Sequence, residues 1–66
     1  MKNRLKVLRA ERNLTQEDLA KLCGLSRVSV NAIENEAATP SGETIAKLAQ
    51  ALQVPAGEIF FDLDVV

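Results

Sequence analysis

The sequence predicts an all-α domain of five short helices, and three observations carry that expectation. Apolar residues make up 47% of the chain, yet only Phe60 and Phe61 are aromatic, so the core must be assembled from Leu, Ile, Val and Ala. Those aliphatic residues recur at three- and four-residue spacing, the period of a helix with one buried face. At 66 residues the chain is too short for two cores, because such a length buries only about 60% of the surface it exposes unfolded. A single domain over residues 1–66 is therefore expected, with a partner chain as its natural supplement.

The first helix is expected from Asn3 to Arg12, where Leu5 and Leu8 share one face and Lys6 and Val7 point elsewhere. Asn13 tolerates left-handed geometry and should end it. The second helix opens at Thr15. The Thr15 hydroxyl can cap the helix while Asp18, three residues on, reaches back in a variant of the capping box, and Glu17 and Asp18 suit the positive helix end. Leu19, Ala20 and Cys23 should turn inward, and Gly24 lets the chain reverse through positive φ.

The third helix follows with Ser26 as cap and Val30 and Ile33 as its buried stripe, leaving Arg27, Val28, Ser29, Asn31 and Ala32 on outward or flanking faces. A loop from Glu36 to Pro40 leads to a fourth helix starting at Ser41, with Ile45, Leu48, Ala49 and Leu52 facing the core. The fifth, Pro55 to Phe60, places proline near its first turn, where a missing N–H does no harm. The tail Phe61-Asp62-Leu63-Asp64-Val65 alternates apolar and acidic residues, a pattern that suits a short strand and leaves a frayed terminus as the alternative.

The stretch from Thr15 to Glu34 has the spacing of a helix-turn-helix unit. Two helices cross closely only over a small residue, supplied by Ala20. The turn needs a left-handed position, supplied by Gly24, and the second helix needs an inner apolar anchor, supplied by Val30 and Ile33.

Composition excludes several functions. Cys23 is the only cysteine and there is no histidine, so an internal disulfide and a Cys/His zinc site are both ruled out, and Cys23 reads as a small buried hydrophobe. Without histidine, recognisable paired carboxylates, a glycine-rich phosphate loop or volume for a deep pocket, an enzyme is not expected; nor are a cofactor, a metal or a small-molecule substrate. No stretch has the length of a signal peptide's apolar region or a membrane span, which points to a cytoplasmic protein. The net charge is −1, but it is polarised. Residues 1–33 carry Lys2, Arg4, Lys6, Arg9, Arg12, Lys21 and Arg27 against Glu11, Glu17 and Asp18. Residues 34–66 carry only Lys47 against Glu34, Glu36, Glu43, Glu58, Asp62 and Asp64. Such polarity suits a module that offers its first half to a polyanion, although solvated helix faces would look the same.

The run Leu14-Thr15-Gln16-Glu17-Asp18-Leu19-Ala20, then Gly24-Leu25-Ser26-Arg27, Ile33-Glu34-Asn35 and Pro40-Ser41, resembles the Xre/Cro family of phage-repressor-like helix-turn-helix transcriptional regulators. The likeness extends from about Leu5 to Phe60. It implies a five-helix, lambda-repressor-like DNA-binding domain that reads a near-palindromic operator on double-stranded DNA as a homodimer, usually as a repressor, with residues 26–35 as the recognition helix.

Transferred position by position, the resemblance makes Thr15 and Gln16 phosphate-facing groups at a helix start, with Gln16 also near a base edge. Ser26, Arg27, Val28 and Ser29 fall at the first exposed turn of the recognition helix, and Asn31 and Ala32 one turn further along. Arg27 could pair with guanine, whereas Val28 and Ala32 could meet only a thymine methyl. Asn35 matches a phosphate contact. Arg9 and Glu34 match a structural ion pair between the first helix and the end of the third. Family members commonly continue with glycine and one or two cations where this chain has Glu36-Ala37-Ala38-Thr39, which implies modest affinity and a shallow salt dependence.

Two alternatives stay open on sequence alone: a protein-interaction module that keeps the fold with weak or no DNA binding, and the antitoxin of a toxin–antitoxin pair. The homodimer is expected because one short helix reads too few base pairs. Helix five and the tail 61–66 are the expected dimerisation surface, since their apolar residues have no evident partner within the chain.

Overall fold

The computed structural model describes residues 1–61. It contains α1 (Leu5–Glu11), α2 (Gln16–Cys23), α3 (Arg27–Glu34), α4 (Gly42–Leu52) and α5 (Ala56–Ile59), the all-α class expected. Each helix delivers at least one fully buried side chain to a single core: Leu5, Leu19, Val30, Leu48 with Leu52, and Ile59, with Phe60 beside them. α2 lies against both α3 and α4, and α5 closes on α4. No described helix is long and apolar enough to cross a membrane.

The helix ends follow local chemistry. Thr15 Oγ1 accepts the Asp18 N–H at 3.0 Å and the Thr15 N–H donates to Asp18 Oδ2 at 3.0 Å, completing the box. The Thr15 N–H donating to it, and next the Thr15 side chain, hold the Asp18 carboxyl below the usual carboxylate range. Its contribution is therefore present above the ordinary aspartate value of about 3.9 and fades as pH falls through the lower value of the fold. Ser26 and Ser41 cap α3 and α4 by accepting from Ser29 N–H at 3.1 Å and Thr44 N–H at 3.2 Å.

α1 begins two residues later than expected because Asn3 is occupied otherwise. Its Oδ1 accepts the Leu5 N–H, its Nδ2 donates to the Ile33 carbonyl at 3.0 Å, and its backbone forms an antiparallel bridge with Phe60. α5 is likewise shorter, with Pro55 as its cap residue. The expectation that helix five lacks partners within the chain does not hold: Ile59 and Phe60 are fully buried, because the Asn3 bridge and the Arg4 N–H to Ile59 carbonyl bond at 2.9 Å fold this end onto α1. Phe61 remains exposed and is not in a strand. The rest of the expected strand and dimerisation tail, residues 62–66, lies outside the described residues.

Cys23 is buried, and burial pushes its thiol pKa up. Glu36 takes left-handed backbone geometry with φ +63°, which explains why glycine suits this position after α3. Gly42 is the first residue of α4, and a Cβ placed there meets nothing within 4 Å. Gly42→Ala should therefore raise stability by about 0.5 kcal/mol, chiefly by restricting the unfolded chain, and thermal melting followed by circular dichroism would register it as a higher Tm.

Candidate nucleic-acid interface

The α2–turn–α3 unit is fixed by backbone chemistry before any side chain is displayed. Gly24 has φ +70°, the Leu25 N–H donates to the Ala20 carbonyl at 2.9 Å and the Gly24 N–H to Lys21 at 3.4 Å, which together make a Schellman closure. Ala20, 3% exposed, leaves the two helices room to approach.

At 100° per residue, Val30 and Ile33 anchor one side of α3, so the opposite arc is centred on Val28, Asn31 and Asn35. Val28 is 74% exposed, a large apolar side chain left in water at the centre of that arc. Arg27 is exposed on the flank nearest α2 and pairs with no described acidic residue. Asn31 and Asn35 are exposed, and Asn35 closes the helix with its N–H on the Asn31 carbonyl at 3.0 Å. Ala32 is only half-exposed, set in a hollow between α3 and the start of α4. Ser26 and Ser29 bond to each other, Oγ to Oγ at 2.9 Å, so their hydroxyls are first of all part of the helix start. The Thr15 side chain and N–H are both committed to Asp18, which leaves the N–H groups of Gln16 and Glu17 at the positive end of α2 for an outside acceptor.

Behind this surface, Arg9 and Glu34 meet as a two-pronged pair. Arg9 Nε donates to Glu34 Oε2 and Nη2 to Oε1 at 3.0 Å, while Nη1 reaches the Leu14 carbonyl at 2.9 Å. The side chains are 14% and 5% exposed. Gln16 joins them: its Nε2 donates to Glu34 Oε1 at 3.2 Å and to Asn31 Oδ1 at 3.1 Å.

Sequence reasoning assigned Gln16 outward and missed this inward role, which depends on a contact 18 positions away. It also missed the hydroxyls of Thr39, Ser41 and Thr44, which border the same hollow as Val28 and Ala32. The serine cap immediately after the loop was the signal available for them. Arg12, counted among cations for a polyanion, instead donates to the Leu52 carbonyl at 3.0 Å and the Leu8 carbonyl at 3.1 Å.

The sequence matches the helix-turn-helix family over residues 5–59. A transcriptional regulator of the helix-turn-helix type from Methanocaldococcus jannaschii is 48% identical over 60 residues, covering 91% of each chain. Among solved structures, the restriction-modification controller protein C.AhdI from Aeromonas hydrophila superposes with a TM-score of 0.81 at 41% identity, covering 85% of each chain. The P22 c2 repressor, solved in complex with a synthetic operator, superposes with a TM-score of 0.77 at 28% identity, covering 80% of each chain.

Removing one member of the ion pair strands the other. Glu34→Ala is expected to cost about 3 kcal/mol, the low end for a buried pair because Arg9 keeps the Leu14 carbonyl. Urea denaturation would show a lowered midpoint, and an unchanged midpoint would mean the pair holds nothing together.

Proposed function

The chain belongs to the helix-turn-helix family of transcriptional regulators, in its phage-repressor-like Xre/Cro branch, and on that premise we propose that it is a sequence-specific repressor binding a near-palindromic operator as a homodimer. The observation that carries the reading is the outward arc of α3, where Arg27, Val28 and Asn31 stand exposed on a helix whose other face is locked into the core. Residues 26–35 enter the major groove. Arg27 pairs with guanine O6 and N7, Val28 and Ala32 meet thymine methyls, and Asn31 contacts a base edge. Thr15 and Gln16 approach a phosphate at the start of α2, Ser26 and Ser29 flank the groove entry, and Asn35 contacts a phosphate beyond it.

The homodimer follows from arithmetic. One eight-residue helix reads too few base pairs to pick a site from a genome, and two copies about 34 Å apart read successive major-groove faces. Whole-domain organisation, with residues 1–66 as one unit and 61–66 contributing to the dimer, belongs to the same proposal.

Glu36 favours a second reading, a partner-binding module of the same fold. Residues 35–41 contain no cation, so few phosphates are neutralised there and binding should weaken only gently with salt.

Fluorescence polarisation with duplexes selected from a random pool separates the two. Arg27→Ala should weaken binding by roughly five- to 150-fold, equivalent to about 1–3 kcal/mol, with an unchanged melting curve; absence of any binding at low salt would favour the partner-binding module. Glu36→Gly relieves left-handed strain and removes a negative charge, so it should raise stability by about 1 kcal/mol and tighten DNA binding in the same assay.

A further inference from the structure

The four side chains Arg9, Glu34, Gln16 and Asn31 form a chain of hydrogen bonds running from α1 to the exposed arc of α3. Its polarity is determined at one end. A guanidinium can only donate, and an ionised carboxylate can only accept. The end of the Gln16 amide that faces Glu34 must therefore be its NH2 group, at 3.2 Å from Oε1. The second hydrogen of that group is directed to Asn31, at 3.1 Å, so the Asn31 atom facing it must be the amide oxygen. Reversing Asn31 would set NH2 against NH2. The atom of Asn31 left over for the exposed surface is Nδ2, a donor.

We propose that this relay makes Asn31 a donor-only reader, selecting guanine in each half-site, with Gln16 as the residue that sets its orientation. This rests on the groove-reading function proposed above and adds which base is taken and why. A free asparagine pairs best with adenine, because its oxygen accepts from N6–H while its nitrogen donates to N7. In this chain the Gln16 bond holds the Asn31 oxygen towards α2 and turns Nδ2 outward, so the amide no longer presents both atoms side by side to adenine N6–H and N7. Cytosine offers only a donor in the major groove and meets another donor. Guanine presents two acceptors, O6 and N7, against the single acceptor O4 that thymine offers beside its methyl, and suits an outward NH2 best. Gln16 acts through Asn31 and is a positioning residue, while the Arg9–Glu34 pair supplies the direction of the relay from behind.

The test uses the full chain and a pool of random-sequence duplexes, with bound sequences read by sequencing and ratios confirmed by competition binding. The wild-type protein should prefer guanine over adenine and cytosine at one position per half-site by at least about fivefold, the usual scale of a single mismatch. Gln16→Ala frees the Asn31 amide, so preference at that position alone should move to adenine. Asn31→Asp keeps an acceptor facing Gln16 and turns a second acceptor outward, so preference there should move to cytosine even if overall affinity falls. Both sites lie outside the core, and circular dichroism melting confirms that each variant is folded. Selection by Gln16→Ala identical to wild type would overturn the relay while leaving DNA reading intact. A wild-type chain that selects no sequence at all would overturn both.

Discussion

The carboxylate of Glu34 is where three helices meet. Sitting at the end of α3, it accepts from Arg9 of α1 and Gln16 of α2, so the angle of α3 to the rest of the domain is set by directional bonds as well as by apolar packing. Apolar contacts alone are non-directional and tolerate small slides of one helix over another. A bidentate guanidinium–carboxylate pair does not, because both oxygens must stay in the plane of the fork. The third bond of Arg9, to the Leu14 carbonyl, extends the constraint to the loop before α2. A surface meant to match a groove needs such fixity, since a contact misplaced by an ångström no longer forms a hydrogen bond.

The same arrangement shows how the chain spends its cations. Arg9 is committed to Glu34 and Arg12 to the carbonyls of Leu8 and Leu52, so two of the basic residues that give the first half its positive balance hold the fold together. Lys21 is drawn towards Glu17 at 4.0 Å, a contact worth little at such exposure. Along α3 and the following loop, Arg27 is the sole cation. A polyanion meeting this face would feel helix ends and a few aimed side chains more than bulk charge. Such a surface discriminates among partners better than it captures them, because counterion release supplies most sequence-independent affinity.

Legibility from sequence divides by distance along the chain. The capping box of Thr15 and Asp18, the Gly24 reversal, the Ser26 and Ser41 caps and the Val30/Ile33 stripe all depend on partners within five residues, and each stands where spacing put it. The contacts of Asn3 with Ile33, of Arg12 with Leu52 and of Gln16 with Glu34 span 30, 40 and 18 positions. No local pattern announces them, because an asparagine or arginine that caps a distant carbonyl has the same neighbours as one in solvent. Phe60 illustrates the same limit: beside Phe61 it looks like one half of a sticky end, and only the bridge to Asn3 turns it inward. The outward arc of α3 was readable because two anchors on a helix fix every other direction, whereas the hydroxyls at the start of α4 join it only through a loop whose path the sequence leaves open.

An eight-residue helix does not persist in water by itself, since nucleation costs more than so few bonds return. α3 exists because both of its ends are bound. At its start, Ser26 takes up the Ser29 N–H. At its finish, the Asn31, Ala32 and Ile33 carbonyls accept from Asn35, from Ala37 and Ala38, and from Glu36 and Asn3 respectively, so the unpaired groups that every helix end leaves are largely answered within the chain. Glu36 must adopt left-handed geometry to deliver its share, a strain the domain accepts in exchange for a closed end. With its ends tied, its inner face buried and its flank joined through Glu34 to Arg9 and Gln16, α3 has little left to give up on ordering against a partner. The entropy of fixing this surface has been met during folding, and Arg27, Val28 and Asn31 stand exposed on it.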